Sequence, residues 1–445
     1  MLKHFITTCL LTACLIAPHA AAATEGLMAG TGKANIDPAP ALFPLDNGTG
    51  DAPMVAIHDS LFARALYLQS KDTRALIVAA DMIILPDDAY DRIVAQITAT
   101  YGIPADHILL SVTHCHTVPW SLARGYEQTI TDGIMAATAQ ALSHPEPVTV
   151  GRGDGQAFLN INRDEQLGSG FILGQDPQGP SDKTVRVTAF FRADQTPLAI
   201  LANYAVHAVT LHSSKTAPDG RNAMVSADLP GVTDTFVDSH YGPGTLTLWT
   251  SGAAGDQNPI LMSFYMEPDA TGKVVTGDLK DAGFIITQRF GEDLAREIIR
   301  VTNAMKPRAV TVPLRGAQAI LNCPAKADPA ATKPLRLSYL GIGDIDLLAV
   351  SGEVVTRIDQ TTRKRNPGRD PILLTLTNGY DGYIPDDLSY RRGQTFEVGK
   401  TSFAPGCAET GIADTAAKLL AQHPHPKPAV HRTKKGGSRH HPKRK

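Results

Sequence analysis

The chain has 445 residues, 43% of them hydrophobic and 19% charged, proportions that suit one large folded core or two modest ones and exclude a disordered or fibrous chain. Its formal net charge of −2 hides an asymmetry: His423 to Lys445 carry eight Lys and Arg, five His and no acid, which leaves the rest of the chain near −10 once those eight charges are set aside. An acidic body argues against nucleic-acid binding, and the tail over 423–445 reads as a disordered, basic, His-rich extension able to touch an anionic surface.

Lys3 and His4 precede an apolar run, Phe5 to Ile16, and then Pro18-His-Ala-Ala-Ala-Ala23, the pattern of an export signal over residues 1–23. The run falls short of the roughly 20 residues needed to span a membrane, and no later stretch is long and apolar enough. A periplasmic or secreted protein is expected. Leu11-Thr-Ala-Cys14 resembles a lipobox, which would make Cys14 a lipidated N-terminus, but the apolar Leu15-Ile16 after it favours simple cleavage near Ala23. Three cysteines follow the signal. Cys323 and Cys407 are available for a disulfide, and Cys115 reads as a buried thiol pointing away from the histidines beside it.

In chain order, residues 31–60 are rich in Gly, Pro and Asp and predict irregular entry loops. Leu61 to Gln69 and Arg74 to Ala80 predict adjacent strands, and Pro86-Asp-Asp opens a helix that Gly102 stops. A strand over Ile108 to Val112 and a helix from about Glu127 to Leu142 complete a β–α–β–α rhythm that argues for α/β layers in a single domain over 24–422. Gly168 to Pro180 reads as a long surface loop. Val185 to Phe191, Leu198 to Val206 and Thr245 to Trp249 predict strands, and Gln288 to Met305 an amphipathic helix. Leu335 to Leu340, Asp346 to Val350 and Ile372 to Leu376 are further strands before a short helix over Ala413 to Leu420.

Five of the apolar runs end abruptly on polar residues. Ile108–Val112 leads to His114 and His116, Leu198–Val206 to His207, Thr245–Trp249 to Ser251-Gly-Ala-Ala-Gly-Asp-Gln-Asn258, Leu347–Val350 to Glu353, and Ile372–Leu376 to Asn378-Gly-Tyr-Asp-Gly-Tyr383. Sites in α/β sheets form beyond the carboxyl ends of strands. Imidazoles with a carboxylate are what zinc takes, leaving a position for water or substrate. Each residue alone reads as an ordinary hydrogen-bonded group, and the joint pattern is what raises a metal centre.

Thr113-His-Cys-His-Thr117, Asn203-Tyr-Ala-Val-His207, Ser226-Ala-Asp-Leu-Pro-Gly231 and Gly252-Ala-Ala-Gly-Asp-Gln-Asn-Pro259 resemble blocks of the neutral/alkaline, non-lysosomal ceramidase family, and Ile57-His-Asp-Ser-Leu-Phe-Ala-Arg64 and Asn160-Ile-Asn-Arg163 resemble earlier ones. The blocks arrive in family order from about Gly32 to Val398. The resemblance implies a large mixed β-sheet flanked by helices, and hydrolysis of a linear amide such as an N-acyl lipid or ceramide-like compound by metal-activated water. It also implies Zn2+ held by His114, His207, Glu353 and Tyr383, with Tyr380 competing for the last place, His116 as proton carrier and Arg163 at the scissile carbonyl. Three features depart from the family. Asn258 stands where the family has a serine, Phe396 stands where it has a tyrosine, and the family's C-terminal β-domain is replaced by the tail. These departures keep open an ester or sugar amide as substrate, or a catalytically weakened binding protein, and they leave Asn258 as a hydrogen-bonding group only.

Overall fold

The structure, a computed structural model, describes residues 26–123 and 125–426. The expected export signal and residues 427–445 of the tail lie outside them. The largest sheet has eight strands in the spatial order Leu246–Ser251, Pro197–Tyr204, Thr184–Phe191, Glu146–Gln156, Leu27–Asn35, Phe62–Ser70, Thr73–Ala80 and Ile108–Val112. Two neighbouring pairs at its edges are parallel, and each needs a crossover helix: Asp87–Tyr101 between Thr73–Ala80 and Ile108–Val112, and Asp228–Tyr241 between Pro197–Tyr204 and Leu246–Ser251. The other ladders are antiparallel, and three residue pairs, Leu27 to Ala29 against Val148 to Glu146, join the two halves.

The strands are buried on both faces, which is why they read as continuous apolar runs. Along Thr73–Ala80, Leu76, Val78 and Ala80 face helices while Ala75, Ile77 and Ala79 face the opposite way. Helices Asp87–Tyr101 and Tyr126–Ser143 cover one half of the first face, and Asp228–Tyr241 and Gly283–Asn303 cover the other. The second face packs on a four-stranded sheet, Arg315–Pro324, Thr332–Ile342, Ile345–Val350 and Ile372–Leu374, whose far side carries helices Thr356–Arg365 and Ala408–Gln422. The large mixed sheet flanked by helices is therefore present, with one set of helices reached across a second sheet. Four layers result, in the order helix, sheet, sheet, helix.

Glycine-rich composition misled the sequence reading in two places. Residues 31–60 do not start as a loop, because Leu27–Asn35 is a central strand. Its glycines serve a close helix contact: a β-carbon on Gly30 or Gly32 would lie 2.1 Å from the Ala141 carbonyl oxygen or 2.0 Å from that of Ala137. Gly168 to Pro180 is largely the second strand of a hairpin, Asn160–Leu167 with Gly170–Asp176, turning at Gly168 with φ +62°. Helix Asp228–Tyr241 was missed because Pro230 and Gly231 stand in its first turn, where proline is tolerated.

Cys323 and Cys407 form a disulfide joining Arg315–Pro324 to the start of Ala408–Gln422, and Cys115 is free and buried. Residues 423–426, counted with the tail in the sequence, pack on the body: the His423 carbonyl accepts from Arg315 Nη1 (2.9 Å) and Arg369 Nη2 (3.0 Å), and His425 Nε2 lies 2.8 Å from Asp346 Oδ2. Arg64, the last residue of an early family-like block, is a buried tie, 3.0 Å from Asp238 and 3.2 Å from Asp234 on helix Asp228–Tyr241.

Two substitutions check this packing by chemical denaturation. Gly32→Ala should lower unfolding free energy by about 1–3 kcal/mol through overpacking against Ala137. Arg64→Met should cost about 3–5 kcal/mol, because it leaves two carboxylates without their buried cation.

Candidate metal centre

Segments from distant parts of the chain meet at one point. Beyond Ile108–Val112, Thr113 still donates its N–H to the Ala80 carbonyl (2.9 Å). His114 then adopts φ +61°, a left-handed conformation uncommon outside glycine, and turns the chain toward the residues that follow Pro197–Tyr204. There Cys115 bridges to Ala208, and the His116 N–H donates to the Ala208 carbonyl (3.2 Å), so 114–116 lies alongside 207–208. The extended backbone expected through His-Cys-His is replaced by this turn. Its result is the juxtaposition expected: His114 and His116 approach Nε2 to Nε2 at 3.2 Å, while the Cys115 thiol donates to the Ala227 carbonyl at 2.9 Å.

Glu353 and Tyr383 are register partners in a short parallel pair, Glu353–Val354 with Tyr383–Ile384. The loop after Leu246–Ser251 presses against them at Gly255, where a β-carbon would lie 2.6 Å from the Glu353 carbonyl oxygen. Residues 375–378 fasten the two sheets. Thr375 donates its N–H to Ser251 (2.9 Å), Val112 to Leu376 (3.3 Å) and Asn378 to Leu110 (2.9 Å), with Leu376 and Asn378 at φ +53° and +66°.

The donor set itself tests for a metal. His114 Nδ1 lies 2.6 Å from the Ile83 carbonyl oxygen, and His207 Nδ1 lies 2.6 Å from that of Ala254. A carbonyl only accepts, so each ring carries a proton on Nδ1 and turns Nε2 inward. Burial and then the nearby Arg163 hold His207 down at about 4, and burial with the surrounding imidazoles holds His116 well below its usual range. His207, so held neutral, turns a bare Nε2 to Glu353 Oε2 at 3.0 Å, and His114 Nε2 stands 3.3 Å from the same oxygen. Tyr383 Oη lies 3.4 Å from His207 Nε2. Tetrahedral coordination at about 2.0–2.2 Å spaces its donors about 3.3 Å apart. Separations of 3.0 to 3.4 Å have that size, and the four residues fit a divalent cation. The His114, His116 and His207 nitrogens also lie within 4.8 Å of one another. Glu353 Oε2 is nearer to His114 and His207 than that spread, and His116, with Nε2 3.2 Å from His114 Nε2, lines the cavity together with His207 and Tyr383.

Of the two tyrosines, Tyr383 reaches His207. Tyr380 instead donates to Glu353 Oε1 (2.9 Å), the other carboxylate oxygen, and so orients Glu353. Arg163 sits between the rings of Tyr383 and Phe396, at 5.4 and 5.1 Å, with Nη1 3.3 Å from both His207 Nε2 and Asn258 Oδ1. Its Nε and Nη2 are each 2.8 Å from Glu397 Oε1. Burial and the neighbouring Glu397 push the adjacent Asp164 carboxyl well up. The structure thus brings His114, His116, Arg163, His207, Asn258, Glu353 and Tyr383 together. Glu397, Asp164, His212 and Asp51 were missed, although Asp164 directly follows the Asn160–Arg163 block, Glu397 directly follows Phe396 and His212 stands five residues beyond His207. The groups open onto a cavity of about 250 Å³ lined by His116, Arg163, Asn258, Leu173, Met262 and Phe264 among others.

No protein-family model matches the chain, and no curated protein matches its sequence. Solved structures do match: the chain has a ceramidase-like fold. A neutral ceramidase from Pseudomonas aeruginosa aligns with a TM-score of 0.69 at 15% identity, over 88% of this chain and 73% of that one. A structure described as ceramidase complexed with C2 aligns with a TM-score of 0.70 at 16% identity, over 91% and 77%.

Tyr380→Phe should leave Glu353 free to rotate and weaken metal binding about 10–10²-fold in competition with a chelator. An unchanged affinity would remove Tyr380 from the centre.

Proposed function

We propose that the protein is an exported, zinc-dependent hydrolase of linear amides, acting on an N-acyl lipid or ceramide-like compound. The observation that carries this reading is the gathering of His114, His207, Glu353 and Tyr383 around one point, in a cavity with an apolar wall. The ceramidase-like fold supports amide chemistry, and the donor set of imidazole, carboxylate and phenol suits zinc. Bound there, Zn2+ would polarise a carbonyl and lower the pKa of water to about 7.

The surrounding residues divide the remaining work. Arg163, beside His207, neutralises charge growing on the scissile carbonyl oxygen. Asn258 cannot accept an acyl group, so water is the nucleophile, and the Asn258 amide holds substrate by hydrogen bonding. His116 takes the proton from water and returns it to the departing nitrogen, since an amine leaves only when protonated. Leu173, Met262, Phe264 and Met266 receive the apolar arm. Export is supported by the residues over 1–23 and by the Cys323–Cys407 disulfide, which persists in oxidising compartments.

Purified protein should carry one zinc per chain and cleave short- or long-chain N-acyl amides, with activity lost on chelation and restored by zinc. His114→Ala should lose both metal and turnover. Asn258→Ala should keep the metal and lower kcat about 10²-fold. Stoichiometric metal with turnover only of esters or sugar amides would move the reading to those substrates. Metal without any turnover would favour a binding protein, the reading that Asn258 and Phe396 support.

A further inference from the structure

Beside the metal-type cluster lies a second polar group that the proposed reaction leaves unused, with Asp51 as its hub. Asp51 Oδ2 accepts from Asn47 Nδ2 (2.9 Å) and from Thr49 Oγ1, and it lies 3.2 Å from His212 Nδ1, an ion-pair separation without hydrogen-bond geometry. Asp51 Oδ1 accepts from Ser213 Oγ (2.5 Å). Ser213 is held at φ +60°, an uncommon conformation for a residue with a side chain.

Both arms of this hub reach His116. Asn47, buried, gives its other amide proton to the His116 carbonyl (2.8 Å). The His212 ring meets the His116 ring edge to face, with centroids 4.7 Å apart at 79°. His116 needs such support more than its neighbours do. His114 and His207 have Nδ1 anchored on carbonyls, whereas His116 Nδ1 is buried without a protein partner among the described residues. No hydrogen bond on that nitrogen keeps the ring from rotating.

We infer that Asp51 is the positioning residue for His116. Through Asn47 it fixes the backbone, and through His212 it braces the ring, so that Nε2 stays turned to His114 and does not swing into the cavity. The inference rests on the reading of His116 as proton carrier, and misplacing such a group by about 1 Å costs on the order of 10²-fold in rate.

Steady-state kinetics of the zinc-loaded full chain test the clamp. Asp51→Ala and His212→Ala should each lower kcat by up to about 10²-fold with KM and bound zinc unchanged. His212→Phe, which keeps a ring against His116, should recover most of that loss. Parent-like kcat in both alanine variants would overturn the inference, as would a loss confined to KM or to metal content. A second readout needs no substrate. In imidazole NMR, the His116 ring signals should shift and broaden in Asp51→Ala while those of exposed His144 stay in place, and unchanged His116 signals would overturn the clamp. If Asp51→Ala does not fold, Asn47→Ala removes the backbone arm and is read in the same two ways. A parent protein that cleaves no amide would defeat the proposed function, and the NMR result would then decide the clamp alone.

Discussion

Two imidazole rings give their Nδ1 protons to backbone carbonyls and turn Nε2 onto the same carboxylate oxygen, an arrangement that a cation among them would satisfy at once. Much of the architecture works to keep the groups in this proximity. The carbonyls of Ile83 and Ala254 fix the tautomers, Tyr380 fixes the carboxylate, and burial removes the water that would otherwise separate the acceptors. The same low polarity that makes the cluster costly without an ion strengthens its hold on one.

The second sheet is what completes the centre. His114 follows one edge strand of the large sheet and His207 the strand next to the opposite edge, whereas Glu353 and Tyr383 follow strands of the smaller sheet. Residues 375–378 hydrogen-bond to Ser251, Val112 and Leu110, tying the small sheet to both edges of the large one. The left-handed residues His114, Leu376 and Asn378 fall at this junction, where surrounding contacts hold a conformation the chain would otherwise avoid.

Much of the site was legible from abrupt ends: an apolar run that stops on a histidine, glutamate or tyrosine marks a strand whose tip leaves the core, and the runs before His114, His207, Glu353 and Tyr383 did so. What spacing alone could not supply was the turn at His114, because nothing in Thr-His-Cys-His marks a residue with positive φ. Glu397 and Asp51 were hidden for a different reason. Their importance comes from partners far along the chain, Arg163 in one case and His116 through Asn47 and His212 in the other. The sequence suggested strands and helices in layers but not two stacked sheets, since a strand buried by a helix and one buried by another sheet carry the same apolar pattern. Gly30 and Gly32 concealed a central strand because a neighbouring helix, not the strand itself, dictated them.

Anomalous diffraction at the zinc absorption edge, from crystals of the purified protein, tests the central claim most directly. A single strong peak about 2.0–2.2 Å from His114 Nε2, His207 Nε2, Glu353 Oε2 and Tyr383 Oη, with His116 beside the ion and not bound to it, is the result predicted. A cluster with no peak in zinc-supplemented crystals, or a peak held by His116 with Glu353 and Tyr383 turned away, would contradict it.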